Sequence, residues 1–385
     1  MTRISFVFLC AVALVCGCGS RSGLSDAKKG MAAFKDGNHE KAIRYFTAAT
    51  ERITSSPELY YHLGLAYLAH GDVKDARDAF EAALNLSPVE NEANILGGLA
   101  QAAYHLKDFK AALAALEHAL AVSPDDGTAV RLLTAMGAVQ ASNQNYSLAH
   151  LYYLRALKMN FSHAPARYNL SVLYQDQYDL KEEAFDNFKL FMGTADAKDK
   201  KRDKVENRIN RLRTNLDRMA AARPAPQRNA TRAGVLLQEA VNAHIARQHS
   251  RAVKAYKDAL EADPLTFSAA YGLASLYRQQ GNRAEALETF KIAIDINPTH
   301  QDSYAKAADM ALQLRQPDEA VRLLTKALAR SPNNPETARL MAQAAAAKRN
   351  GLEAAAYGEF YLSLIPKDSP DRAEFEKWVN TLKKK

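Results

Sequence analysis

Alanine returns at a fixed interval through this chain. Ala252, Ala286, Ala320 and Ala354 are evenly spaced, and Ala42 and Ala76 show the same interval nearer the other end. Ala112, Ala149 and Ala184 continue the series, displaced by small insertions at Asn91-Glu92, at Gly127-Thr128-Ala129 and before Ala184. A period of roughly 20–50 residues means an array of small identical units. One unit cannot bury its apolar face alone, so units stack, each touching only its neighbours. Glycine and proline are sparse, at 17 and 13 of 385 residues, and Ala, Leu, Lys, Glu and Arg dominate. All five are good helix formers, so the stacked unit is helical.

The sharpest copy of the unit is 57–90. Tyr60, Leu63, Gly64 and Tyr67 fall in its first half, and Ala76, Phe80, Ala83 and Pro88 in its second. Residues 267–300 repeat the pattern with Ala270, Leu273, Ala274, Tyr277, Ala286, Phe290, Ala293 and Pro298. Small residues let two antiparallel helices approach, large ones fill the space between pairs, and proline closes the second helix. The pattern resembles the tetratricopeptide repeat, with Tyr in place of its first Trp. That resemblance implies an all-α fold, an α-solenoid of about nine helix-turn-helix repeats.

The segment 1–17 reads as a signal peptide. Arg3 precedes an apolar run from Ile4 to Val15, broken only by Ser5. That length is too short to span a bilayer, which needs about 20 residues, but fits an export signal. Val15-Cys16-Gly17-Cys18 resembles the lipobox of bacterial lipoproteins, with Gly17 the small residue before an acylated Cys18. Cys16, preceded by Val15, fits less well, and an ordinary secretory signal is the alternative. Residues 18–22 would then be a lipid-anchored tether. Ser20, rather than Asp, at the second position after the anchor implies the outer membrane more than the inner, with the chain facing the periplasm. The three cysteines are Cys10, Cys16 and Cys18, so everything after Cys18 has no disulfide, thiolate metal site or thiol nucleophile.

The array is interrupted once. Between Ala184 and Ala252 the repeat pattern is lost, and Val205, Ile209, Leu212, Leu216 and Met219 form one helical stripe instead. The expected order is repeats one to five over 23–198, a basic capping helix over 199–222 and a linker over 223–232. Repeats six to nine follow over 233–368, with a second capping helix over 369–385 carrying Phe375, Trp378, Val379 and Leu382. Each half thus ends in an aromatic-rich repeat and a charged cap, as solenoid ends require, and the matched ends suggest a duplication. One continuous superhelix with a degenerate sixth unit is the alternative reading. Twelve Lys or Arg and four Asp or Glu lie between Lys198 and Arg232, a net +8 equal to that of the whole chain. Lys204, Arg208, Arg211 and Arg218 are its expected outward basic patch.

No Gly-rich phosphate loop, His-Glu-x-x-His or G-x-S-x-G is present in the sequence. Neither catalysis nor a cofactor, metal, small-molecule substrate or nucleic acid is expected. His62 and His105 read as packed or solvated. In the resembling family one face of each first helix lines a groove that docks protein partners. Here that face carries Glu58, Tyr61, Leu65 and Leu68; Asn94, Gly97, Gln101 and Tyr104; Tyr168, Val172 and Gln175; and Ser268, Tyr271, Ser275 and Arg278. Tyr61, Leu65, Leu68, Tyr104, Tyr168 and Tyr271 are the candidate partner-binding residues. The Lys and Asn of family members that clamp a C-terminal carboxylate are replaced by Tyr61 and Leu65, and in the first repeat by Ala27 and Met31. The expected function is a membrane-anchored scaffold of the cell envelope that binds protein partners. The alternative is an adaptor that holds anionic wall polymer, polysaccharide or membrane surface through 198–232.

Overall fold

The computed structural model describes residues 19–86, 92–122, 125–222 and 226–383. The signal peptide, Cys18, Pro88, Asn91 and the start of the linker, 223–225, lie outside the described residues. Among the described residues twenty helices follow in order. They are α1 (Gly19–Lys35), α2 (His39–Arg52), α3 (Pro57–His70), α4 (Val73–Leu86), α5 (Glu92–His105), α6 (Phe109–Ala121) and α7 (Asp126–Ser142). Next come α8 (Tyr146–Met159), α9 (Ala164–Asp176), α10 (Lys181–Thr194), α11 (Arg202–Ala222), α12 (Ala230–Ile245) and α13 (His249–Ala262). The last are α14 (Phe267–Gln279), α15 (Arg283–Ile296), α16 (Gln301–Gln313), α17 (Pro317–Arg330), α18 (Pro335–Ala347), α19 (Gly351–Leu364) and α20 (Arg372–Lys383). No described helix is long and apolar enough to cross a membrane.

The repeat is written in the backbone as well as in the alanines. Gly37, Gly71, Lys107, Gln144, Asp179, Arg247, Gly281, Arg315 and Arg349 all have positive φ. Each follows the first helix of a repeat, which places one left-handed turn in each of nine repeats. The turn closes by a backward bond from the next residue, as from Asn38 N to Ala33 O at 2.9 Å and from Gln316 N to Ala311 O at 2.8 Å. This is the Schellman closure of a helix end. The same residue then starts the second helix; Asn38 Oδ1, for example, accepts from Lys41 N at 3.1 Å. The nine marker alanines, from Ala42 to Ala354, are all fully buried.

The chain falls into two compact units, 1–145 and 146–385. The linker expected over 223–232 lies within the second of them. In the first unit, phenylalanines of second helices are wedged against glycines. A Cβ on Gly30 would come within 2.9 Å of the Phe46 ring. Phe80 sits between two such positions, since a Cβ on Gly64 or Gly98 would come within 2.7 or 2.5 Å of its ring. Ala76, Phe80, Ala83, Ile95 and Ala102 form the core there. Residues 19–22, expected as a tether, are instead the first turn of α1. Gly23 behind them packs so closely that an added Cβ would meet Ile53 at 2.8 Å, which ties the start of α1 to the end of α2.

The second unit has an internal seam where α8 meets α19 and α10 meets α17. His150, Tyr174 and Tyr357 are fully buried in it. His150 Nε2 lies 2.9 Å from Tyr174 Oη, and Tyr357 Oη donates to Ser147 O at 2.9 Å. Glu183 pairs with Arg330 at 2.8 Å, while Glu353 accepts from Asn350 Nδ2 at 2.8 Å and from Ser147. Glu183 and Glu353 hold the same helical position in the last repeat of each half, so the two ends contribute related acids to one seam.

The apolar stripe of α11 is only partly covered. Val205, Ile209 and Leu212 are buried against α10, but Met219 is 46% exposed. The reason is length: α11 has 21 residues and α10 has 14, so the last turns of α11 extend beyond their support. In α20 only Val379 is buried, and Phe375 and Trp378 are half-exposed. The linker is anchored at its far end. Arg228 makes a two-point pair with the buried carboxylate of Asp263 at 2.9 and 3.0 Å, and Asn229 N donates to Ala262 O at 2.7 Å. That pairing holds the Asp263 carboxyl below its ordinary range.

Candidate partner-binding grooves

In the first unit, α3, α5 and α7 present a row of partly exposed side chains. Tyr61, Leu65 and Leu68 are half-buried and pack against the core around Phe80. The Tyr61 ring lies 5.8 Å from that of Phe80. Burial raises the Tyr61 phenol above its ordinary value, and the charge of Arg131 opposes the shift. Arg131 is exposed on α7, donates to Thr128 Oγ1 at 2.8 Å, and adds a cation to this face that the repeat pattern did not flag. Tyr104 is half-buried, with its hydroxyl 2.9 Å from Ser142 Oγ. Two turns before Tyr104 on the same face of α5 is Gly97, where an added Cβ would meet nothing within 4 Å. Gly98, the next residue, has no such room. One face of α5 is thus closed against Phe80 and the other open. His62 stacks on Phe46 at 5.8 Å, and burial lowers its pKa against the opposing charge of Glu58. His105 is exposed.

In the second unit, Tyr168 and Tyr271 stand in different surroundings. Tyr168 packs on Phe191 at 5.7 Å, and the Lys201 ammonium of the segment leading into α11 lies 4.4 Å from its ring centroid. A partner would have to displace Lys201 to reach that ring face, so Tyr168 is not an open anchor. Tyr271 stacks on Phe267 at 5.7 Å and meets His300 edge-on at 5.0 Å. Its hydroxyl donates to Asp302 and accepts from Lys306. Burial pushes Asp302 upward, but the bonds it accepts from Lys306, at 2.8 Å, and from Tyr271 outweigh it and hold the carboxyl below its ordinary range. Tyr271 is therefore bound up with its neighbours on α16.

Of the expected basic patch, Lys204, Arg211 and Arg218 are exposed. Arg208 is not outward. It donates to Gln175 at 2.9 Å and to Asp176 at 3.3 Å, fastening the cap to repeat five. Sequence reasoning missed this because helical spacing gives the face of α11 but not the end of α9 that it meets. Among the described residues no group of three His, Cys, Asp or Glu is placed to hold a metal.

Family profiles described as tetratricopeptide repeat match residues 28–91 and 246–300, 67–137, and 302–344. Together they cover more than half of the chain. It belongs to the tetratricopeptide repeat family. No curated protein matches the chain. Solved tetratricopeptide structures resemble it at low identity. MamA of Desulfovibrio magneticus RS-1, from residue 41 to its end, is 20% identical, with 47% of this chain and 99% of that one covered and a TM-score of 0.40. Pseudomonas aeruginosa PilF is 16% identical over 69% of this chain and 99% of its own, with a TM-score of 0.40. YrrB, described as a tetratricopeptide protein with an unusual peptide-binding site, is 18% identical over 70% and 97%, with a TM-score of 0.31. These likenesses concern the repeat fold.

Proposed function

We propose that this tetratricopeptide chain is a lipid-anchored scaffold of the bacterial cell envelope that holds a protein partner in the groove of its first unit. The observation that carries the reading is the partly exposed apolar row of Tyr61, Leu65, Leu68 and Tyr104 beside the open space at Gly97. Aromatic and aliphatic anchors of that kind supply most binding energy in protein interfaces. Because Tyr61 and Leu65 also pack on the core, truncating them would confuse binding with stability. Gly97→Phe avoids this, since the new side chain enters open space and removes a helix-weakening glycine. After crosslinking in the native host, the variant should capture the partner roughly 30-fold less well, a loss of about 2 kcal/mol, at unchanged melting temperature. Undiminished capture would refute the groove reading.

The anchor is a separate element of the proposal. With α1 starting at Gly19, the chain leaves almost no slack after Cys18, and the first repeat would lie against the membrane. Metabolic palmitate labelling should mark the wild type and be abolished by Cys18→Ala, with the protein moving to the soluble fraction. Unlabelled wild type, or a Cys18→Ala chain still carrying lipid, would sink this part. Ser20 favours the outer membrane in such an arrangement.

A further inference from the structure

The second unit contains both capped ends, and they superpose in sequence when Arg202 is laid on Arg372. The match is structural. Arg202 Nη1 donates to the carbonyls of Met192 and Ala195 at 2.9 and 3.1 Å. Arg372 Nη1 donates to those of Leu362 and Ile365 at 2.8 and 3.3 Å, the same two places on its own last repeat. In this alignment Phe191 corresponds to Tyr361, Lys201 to Asp371, Lys204 to Glu374 and Arg208 to Trp378. The two ends therefore share a frame, but two aligned positions change sign, with Lys201 and Lys204 replaced by Asp371 and Glu374.

At the first end the aromatic floor already has its cation. The Lys201 ammonium covers the Tyr168 ring at 4.4 Å, and Arg208 reaches across to Gln175 and Asp176. At the second end, among the described residues, no cation of the cap lines the corresponding space. A cavity of about 550 Å³ is left open there, lined by Tyr361, Phe375 and Trp378 together with Asp371 and Glu374. The rings form a continuous wall, with Phe375 4.6 Å from Tyr361 and 4.9 Å from Trp378. On the α18 side, Glu336 and Arg339 neutralise one another through a two-point pair at 2.9 and 2.5 Å. Asp371 and Glu374 are exposed, and neither forms an ion pair among the described residues.

We propose that this cavity takes the cationic side chain, lysine or arginine, of a partner segment. The first end supplies its own cation, Lys201, over Tyr168; Ala338 stands in the place of that tyrosine at the second end, where Tyr361, Phe375 and Trp378 build the aromatic wall instead. An ammonium or guanidinium over aromatic faces gains from the ring quadrupole, and two uncompensated carboxylates add direct pairing. An apolar side chain would satisfy the rings but leave both carboxylates unanswered. The inference rests on the reading of the chain as a protein-binding scaffold and adds the chemistry of one contact.

Trp378 is the only tryptophan in the chain, so its fluorescence reports on this cavity alone. The full chain would be titrated at low salt with acetyl-Gly-Arg-Gly amide and with the same peptide carrying citrulline, which keeps the shape and removes the charge. The arginine peptide should change Trp378 emission, and the citrulline peptide should need at least a tenfold higher concentration. Asp371→Lys, which installs the residue of the first end, should abolish the response. Asp371→Asn with Glu374→Gln should weaken it about tenfold. These positions are exposed, and circular dichroism should show unchanged helix in both variants. No response to the arginine peptide, equal responses to both peptides, or an undiminished response in Asp371→Lys would overturn the proposal. The readout uses no natural partner, so it fails or succeeds separately from the capture experiment on Gly97.

Discussion

Phe80→Ala should destabilise the first unit by roughly 3–5 kcal/mol, measured as a fall in the urea midpoint of its unfolding transition. The ring is fully buried and is gripped by Gly64 on α3 and Gly98 on α5. Removing it opens a cavity between two repeats at once, and the backbones on either side cannot close together without moving whole helices. The complementary change is Gly98→Ala. It adds a single carbon within 2.5 Å of the ring, and overpacking of that kind costs about 1–3 kcal/mol. That loss would exceed the gain of about 1 kcal/mol expected when alanine replaces glycine inside a helix. A Gly98→Ala chain more stable than the wild type would show that Phe80 has room to retreat and that the wedge is not tight.

The second large effect concerns pH. Full burial lowers the pKa of His150 from its ordinary 6.5 to about 3. Between those values the unfolded chain binds a proton that the folded chain refuses. Stability is therefore lost as pH falls below about 6.5, and the loss continues down to about pH 3. From pH 7 to pH 5 it should amount to about 2 kcal/mol for this one group. Urea unfolding of the second unit at the two pH values would measure it, with His150→Gln as the comparison. The variant should be less stable at pH 7, because Tyr174 and Tyr357 lose their ring partner. Its further loss between pH 7 and pH 5 should be smaller than that of the wild type by about 2 kcal/mol, the share that His150 no longer contributes. Identical pH dependence in the two proteins would mean that the seam admits water or that His150 titrates freely.

The repeat was legible in the sequence because its signals are local and reinforce one another. Ala42 to Ala354 had to be small, and each proved fully buried. The turn residues carried less information: Lys107, Gln144, Asp179, Arg247, Arg315 and Arg349 adopt a left-handed backbone that glycine would mark in a sequence and these residues do not. What pattern alone could not give was any contact between residues far apart along the chain. Spacing placed Tyr61 and Tyr168 on equivalent faces, yet only coordinates show that Lys201 covers one of them. Spacing also placed Arg208 on the outside of α11, but the carboxylate that turns it inward, Asp176, lies on the preceding repeat. The change from Lys201 and Lys204 to Asp371 and Glu374 was visible in the sequence once Arg202 and Arg372 were matched, and it took their shared carbonyl bonds to fix that match.

The seam in the second unit has a consequence for how such an array can change length. The left-handed turns at Arg247, Gly281, Arg315 and Arg349 are evenly spaced, so one repeat could be lost or gained there with every local interface rebuilt like for like. In an open stack that would be a neutral edit. Here α17 and α19 must arrive opposite α10 and α8, with Glu353 at Ser147 and Tyr357 at His150. Removing any one repeat between α12 and α17 would bring a different helix to His150 while leaving each neighbouring pair intact. The seam works as a tally: it ties the number of repeats between the two ends to the identity of the residues that meet there, and so holds a modular chain to a single length.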